Sequence, residues 1–260
     1  QLYRPLSLRD APILFTGLET AELIKYAGNA FLATKVTFIN QIADLCEVVG
    51  ANVKDVARGI GLDGRIGVKF LHPGPGFGGS CFPKDTRALS VIAREAGTSM
   101  TLVDAVVSSN DARKSNMAER IIAAVDGEVH NKRIAILGVS FKPNTDDVRE
   151  SPSLDIIPRL IEAGANVSAY DPEAMEEAAK ILTGVDWVQD AYAAAEGADC
   201  VVILTEWNEF RALDLARLSA VMKTPVLVDL RNIYTPEEIA STPFTYHSVG
   251  CAVIRPPTPI

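Results

Sequence analysis

The sequence is short of metal ligands, of positive charge and of long apolar runs. Four cysteines and three histidines occur in 260 residues, and no two cysteines form a C-x-x-C pair. That excludes a zinc ribbon or a similar closed metal site as the organising feature, and no metal is expected. Acidic residues outnumber basic ones, 33 to 25, for a formal net charge of −8. Nucleic-acid binders usually carry a basic face, so nucleic acid is not an expected partner. A negatively charged small ligand stays possible, because a few local cations suffice to hold one. No apolar run approaches a membrane span, so no membrane association is expected, and the opening residues do not read as a secretory leader. Cys46 and Cys200 lie in apolar surroundings and are expected to be reduced core thiols, which points to a cytoplasmic protein.

What is present is an apolar fraction of 48%, enough for two domains rather than one. Residues 17–49 read as one long helix that opens on a Thr16-x-x-Glu19 capping box and stops at Gly50. At 1.5 Å per residue it would span about 50 Å, the length of a spine between domains or subunits. "NVKDVARGIGLD" reads as a short helix ending near Gly59 or Gly61. Glycine and proline make 64–80 a loop, "KDTRALSVIAREAG" is amphipathic, and "TLVDAVVSSNDARKSNMAERIIAAV" is a second long helix. From about residue 130 the texture changes. "KRIAILGVS", "ANVSAYDP", "VDWVQD", "DCVVILTE" and "PVLVDLRN" are strand candidates, most of them continuous apolar runs. Helical segments at 153–164, 173–182, 191–197 and 210–221 separate them, so the pattern is βαβ with a parallel sheet. A doubly wound sheet binds ligands at the carboxyl ends of its strands, here the loops "FKPNTDDVRES", "YDP", "TEWNEF" and "LRN".

The most informative stretch is "GPGFGGSCFPKD", residues 74–85. Gly74-x-Gly76-x-x-Gly79 matches a dinucleotide fingerprint in letters. Its required setting is missing: Pro73 and Pro75 stiffen an irregular approach, and no strand with a terminal acid follows. Cys81 has two open readings. As a nucleophile it would use the glycines for close substrate approach, and Lys84 and the start of the next helix to favour the thiolate. Asp85 would then steer water or a proton. As a structural thiol it would simply be buried on a tight turn. Lys25 and Asn29 share a helical face, with Asn40 eleven residues on and Glu22 three before. They form either a solvated stripe or a polar wall facing Cys81 that could stabilise an oxyanion. A cysteine hydrolase would need a histidine base, and His72, His130 and His247 carry no supporting motif. A binding and dimerisation module without activity is the remaining alternative.

Six segments in order, "ELIKYAGNAFLATKVTFINQIADLCE", "GLDGRIGVKFL", "GFGGSCFPKD", "ILGVSFKPNTDDVRESPS", "YDP" and "LTEWNEF", resemble the UDP-glucose/GDP-mannose dehydrogenase family. The resemblance runs over nearly the whole chain from about residue 10. It implies an α/β protein with a helical central dimerisation region, residues 17–125, built on a long spine helix. A Rossmann-like doubly wound parallel-sheet domain that binds a UDP-sugar follows over 126–260. Residues 1–16 would be the tail of an N-terminal NAD-binding domain that this chain lacks, so the chain alone would not turn over NAD. The family oxidises C6 of a nucleotide sugar twice, reducing two NAD. By resemblance Cys81 is the nucleophile that forms a thiohemiacetal and then a thioester. Lys25 and Asn29 stabilise the oxyanion and place water, and Asp85 acts as a base or orients Lys25. Phe70, Leu71, Phe77, Gly78, Phe141, Lys142 and Arg231 contact the nucleotide sugar. Arg65 reaches the ligand of a neighbouring subunit, which implies a homodimer or higher homo-oligomer. Arg149 and Lys84 lie toward NAD. The motifs lean toward UDP-glucose over GDP-mannose or a UDP-N-acetylhexosamine.

Overall fold

The computed structural model describes residues 13–256; the first twelve residues of the expected opening tail lie outside them. The spine helix α1 runs Leu18–Val49, roughly 48 Å at the standard rise. Its N-cap is Gly17, with no side-chain cap, so the Thr16–Glu19 capping box does not form. Gly50 ends it in the left-handed conformation (φ 74°) and donates back to the Cys46 carbonyl. Helix α2 (Val53–Gly61) starts at Asn52, whose side chain accepts from Lys54 N. The glycine- and proline-rich stretch is irregular, as expected, and leads into α3 (Phe82–Glu95), with Cys81 at its N-cap and Pro83 in its first turn. Helix α4 (Thr101–Ala124) then crosses to the sheet.

Six parallel strands follow: β1 (Arg133–Leu137), β2 (Asn166–Tyr170), β3 (Val185–Trp187), β4 (Cys200–Ile203), β5 (Val226–Asp229) and β6 (Thr245–Ser248). Their order is β3-β2-β1-β4-β5-β6, the doubly wound arrangement expected from the βαβ texture. The sixth strand was not expected. It is a four-residue edge with alternating burial, joined to β5 and steadied by a bridge from Tyr246 to Ile254. The expected helix over 210–221 is two: α8 (Asn208–Arg211) and α9 (Leu215–Val221). Asp214 breaks it, because its carboxylate caps the amides of Ala216 and Arg217. The other sheet helices are α5 (Ser153–Glu162), α6 (Met175–Ala179), α7 (Ala191–Ala195) and α10 (Pro236–Ala240).

Alternation along the strands divides the core. Ile134, Ile136, Val202 and Val228 face a cluster that includes Met117 and Ile121 of α4 and Ile39 and Ala43 of α1. Leu137, Val201, Ile203 and Leu227 face the opposite cluster with Phe210, Leu218 and Ile239. The first cluster is continuous from the spine into the sheet, so the helical region and the sheet share a core. Cys46 and Cys200 are buried free thiols within it, and burial pushes both thiols up.

Candidate active site

The switch point of the sheet lies between β1 and β4, and the loops after β1, β4 and β5 form a stiff crest there. Two buried aspartates hold it. Asp171 accepts from the Val139 and Ser140 amides (2.7 and 3.0 Å) and from Trp207 Nε1 (3.2 Å). Asp229 accepts from the Ile233 amide and the Tyr246 hydroxyl, both at 2.7 Å. Burial still pushes the Asp229 carboxyl above its ordinary value, the four donors around it acting in the other direction. "YDP" and "LRN" are therefore loop anchors before they are ligand contacts.

A cleft of about 800 Å³ opens between this crest and the loop before α3. It brings together Phe70, Phe77, Gly78, Cys81, Phe141, Lys142 and Arg231, seven of the residues picked from sequence. Cys81 is exposed on its wall, which removes the reading of a buried structural thiol. Phe82 stacks against Phe70 and Phe77, with ring centroids 6.0 and 5.9 Å apart. Phe70 sits at φ 64°, a strained conformation for an aromatic residue, at the rim of the same cleft. Lys142 Nζ stands 5.3 Å over the Phe141 ring. The Arg231 guanidinium is aimed by the carbonyls of Leu204 (2.7 Å) and Phe141 (3.2 Å). Leu71 is buried and lines an adjoining cleft on the other side of the loop.

Behind Cys81, in the first turn of α3, Asp85 is fully buried. Its amide donates to the Cys81 carbonyl at 2.8 Å. Its carboxylate meets Asn29 Nδ2 at 2.6 Å, Lys84 Nζ at 2.7 Å and Lys25 Nζ at 3.1 Å. Burial alone would raise this carboxyl, but the three donors outweigh it and hold it at about 2. The spine and the Cys81 loop are thus joined through one ionised carboxylate. Asn40 does not belong to this wall. It is buried and accepts from the Gly74 amide at 2.8 Å, so it anchors the loop from behind. Glu22 is exposed and takes no part in the cluster.

Gly78 and Gly79, which line the cleft, also serve a purpose that was not expected. A Cβ on Gly78 would overlap the Glu150 carbonyl, and one on Gly79 would stand 2.6 Å from the Phe141 ring. Gly79 N donates to the Arg149 carbonyl at 2.8 Å. They make room for the protein's own 141–151 segment, so the loop and the sheet region interlock. Lys114, missed from sequence, closes the joint. It is buried on α4, donates to the Glu150 carbonyl at 3.0 Å and lies 3.4 Å from the Glu150 carboxylate. Asn110 brackets Phe77, accepting from its amide (2.8 Å) and donating to its carbonyl (3.1 Å), and Arg113 donates to Gly74 O at 2.6 Å. The signal was there as polar residues at i, i+3 and i+4 on the face of α4 that also carries Val103, Val106 and Met117.

Arg65 lies outside the cleft, almost fully exposed and paired with Asp63 at 2.6 Å. Arg149 is 69% exposed, paired with Asp147 at 2.8 Å. Its raised pKa comes mainly from that carboxylate, and its own carbonyl accepts from Gly79 N, two residues before Cys81. Lys84 is likewise exposed, with Asp85 the main cause of its raised pKa.

Family models match residues 19–112 as the central domain, and residues 135–236 as the UDP binding domain, of the UDP-glucose/GDP-mannose dehydrogenase family. The chain is 60% identical over 250 residues to a UDP-glucose 6-dehydrogenase of Rhizobium meliloti, covering 96% of this chain and 57% of that protein. It is 48% identical over 256 residues to the UDP-glucose 6-dehydrogenase TuaD of Bacillus subtilis, covering 98% and 55%. A solved UDP-glucose dehydrogenase from Pyrobaculum islandicum superposes with a TM-score of 0.84 at 36% identity, covering 96% of this chain and 56% of that one. The chain therefore spans about half the length of the relatives it matches. The two family models fall on the helical region and on the sheet, and by them the chain belongs to the UDP-glucose/GDP-mannose dehydrogenase family.

Proposed function

We propose that the protein carrying this chain is an NAD-dependent UDP-glucose 6-dehydrogenase. In this reading residues 17–125 supply the nucleophile and the dimer contact, and 126–260 hold the nucleotide. The observation that carries it is Cys81, exposed on a cleft wall one helical turn from the buried Asp85 carboxylate, which Asn29, Lys25 and Lys84 surround. The names of the relatives favour UDP-glucose over the related sugars.

The diphosphate lies against Lys142 and Arg231, and the phenylalanines of the cleft pack on the base and sugar. The overall change is one alcohol and one water to one carboxylate, with two hydrides and three protons released. NAD, when bound, accepts the hydrides. Cys81 adds through sulfur to the C6 aldehyde left by the first oxidation, giving a thiohemiacetal; the second oxidation leaves a thioester. Water then attacks the acyl carbon, the C–S bond breaks, and the thiol and the acid are restored. Splitting the oxidation in this way keeps the aldehyde attached to the protein. The ammonium of Lys25 and the carboxamide of Asn29 stabilise the oxygen that becomes negative. Asp85 keeps both in place, 3.1 Å from Lys25 Nζ and 2.6 Å from Asn29 Nδ2.

The Gly74–Gly79 loop does not suit a dinucleotide, because its glycines are already approached by the protein itself: Gly74 by Arg231, Gly76 by Asn110 and Lys114, Gly78 by Glu150 and Gly79 by Phe141. A rim suits one better: Lys84 is an exposed cation within one helical turn of Cys81, and Arg149 is another, on the segment that pairs with Gly79. A second copy of the chain is the proposed partner. Ile24, Phe31, Phe38 and Leu45 are all exposed on α1 at seven-residue spacing, an apolar seam along the spine. The free thiols fit a reducing, cytoplasmic setting, and no described helix is long and apolar enough to cross a membrane.

Calorimetric titration of the chain with UDP-glucose tests the binding half. Lys142→Ala and Arg231→Ala should each weaken it by about tenfold or more. Unchanged affinity in both variants would reject the assignment of the cleft.

A further inference from the structure

A second cleft, of about 560 Å³, lies across the Leu71–Pro73 segment from the first. It is lined by Lys54, Arg58, His72, Arg211 and Arg231, with Glu206 as its one carboxylate. Three features set it apart. Two of its cations, Lys54 and Arg211, are fixed by neutral groups. Lys54 Nζ donates to the Tyr234 carbonyl at 3.0 Å, and Arg211 donates to the adjacent Ile233 carbonyl at 3.2 Å. Elsewhere in this acidic chain the well-placed arginines are matched to carboxylates, as Arg65 is to Asp63, Arg149 to Asp147 and Arg113 to Asp44. Among the described residues Lys54, Arg58 and Arg211 form no ion pair, so their positive charge is not cancelled, and that of Lys54 and Arg211 is also held in place.

Two acids lie nearby, and neither pairs with Lys54, Arg58 or Arg211. Glu206 Oε2 lies 3.1 Å from Arg231 Nε, yet that N–H is spent on the Leu204 carbonyl, so the oxygen makes no hydrogen bond. Glu238 accepts from the Thr235 amide at 2.7 Å, which is the main reason its carboxyl is held low; Lys54 and Arg211 contribute less. Four formal cations against Glu206 leave a net positive cavity in a chain whose net charge is −8. Its volume suits a phosphorylated metabolite rather than a single ion. Each of the three anchored or shared side chains has donors to spare: Lys54 uses one of three, and the guanidiniums use fewer than their five.

We propose that this cleft is a second anion site, for a small molecule bearing a phosphate or diphosphate group, distinct from the nucleotide-sugar cleft. Lys54, Arg58 and Arg211 bind the anion. His72, Glu206 and Arg231 line both clefts, so occupancy of one changes the affinity of the other by a reciprocal factor.

The test is calorimetric titration of inorganic pyrophosphate into the chain, alone and saturated with UDP-glucose. It compares the wild type with Arg58→Glu and Arg211→Glu, both exposed positions whose reversal leaves the core intact. The expected result is a pyrophosphate site that survives UDP-glucose and weakens by about tenfold or more in both variants, while UDP-glucose affinity shifts by about twofold at most. Displacement of all pyrophosphate by UDP-glucose, or a surviving site indifferent to both variants, would overturn the proposal. If UDP-glucose fails to bind at all while pyrophosphate still responds to Arg58→Glu, the second site stands and the sugar-nucleotide reading falls.

Discussion

Asp85 is the residue on which the site turns. Its carboxyl is ordinarily near 3.8 and is held at about 2 in the fold. A lowered folded value means the contribution to stability is present above the ordinary value and is lost as pH falls from about 4 toward about 2. Chemical denaturation of wild type and Asp85→Asn from about pH 6 to about pH 2 should show a stability gap that closes only at the acid end. A gap constant with pH would mean that the carboxylate is not ionised in the fold. At this scale much was legible. Lys25 and Asn29 follow from the i, i+4 rule, and Cys81 and Asp85 from one turn of helix. Asn40 obeys the same face arithmetic and was misplaced, because a helix face says nothing about which partner lies opposite it. Here the partner is the Gly74 amide.

At the scale of elements, the joint between the Cys81 loop and the sheet region decides whether Cys81 faces Lys142 and Arg231. Gly78→Ala would push a methyl into the Glu150 carbonyl, and should cost about 1–3 kcal/mol in thermal or denaturant unfolding. Lys114→Met keeps the volume but removes the donor to Glu150 O. Glu150 and Asp155 stay partly solvated, so the cost should be smaller, about 1–2 kcal/mol by the same measurement. In the full-length enzyme Lys114→Met should raise KM for the sugar more than it lowers kcat, and Lys114→Arg should restore part of the loss. Strands were legible because burial on both faces writes continuous apolar runs such as "VVIL". The edge strand β6 was not, since four residues with one wet face leave too little pattern. The split between α8 and α9 depended on one capping aspartate inside an otherwise periodic run. The contacts of Lys114 and of Gly78 to segment 149–151 connect residues far apart in sequence, and no local rule reports such pairs.

At the scale of the whole molecule, two features remain to be covered or filled. One is the apolar seam of α1. Phe38→Glu should shift the sedimentation of the chain toward monomer without lowering its helix content; an unchanged oligomer would place the contact elsewhere. The other is the pair of clefts that meet at Arg231. The central claim is narrower: an exposed thiol on the wall of the first cleft carries the second oxidation. The most direct measurement is NADH formation from UDP-glucose by the full-length protein with Cys81→Ser. Turnover should fall by about 10³-fold or more. A variant that keeps full oxidative activity would contradict it.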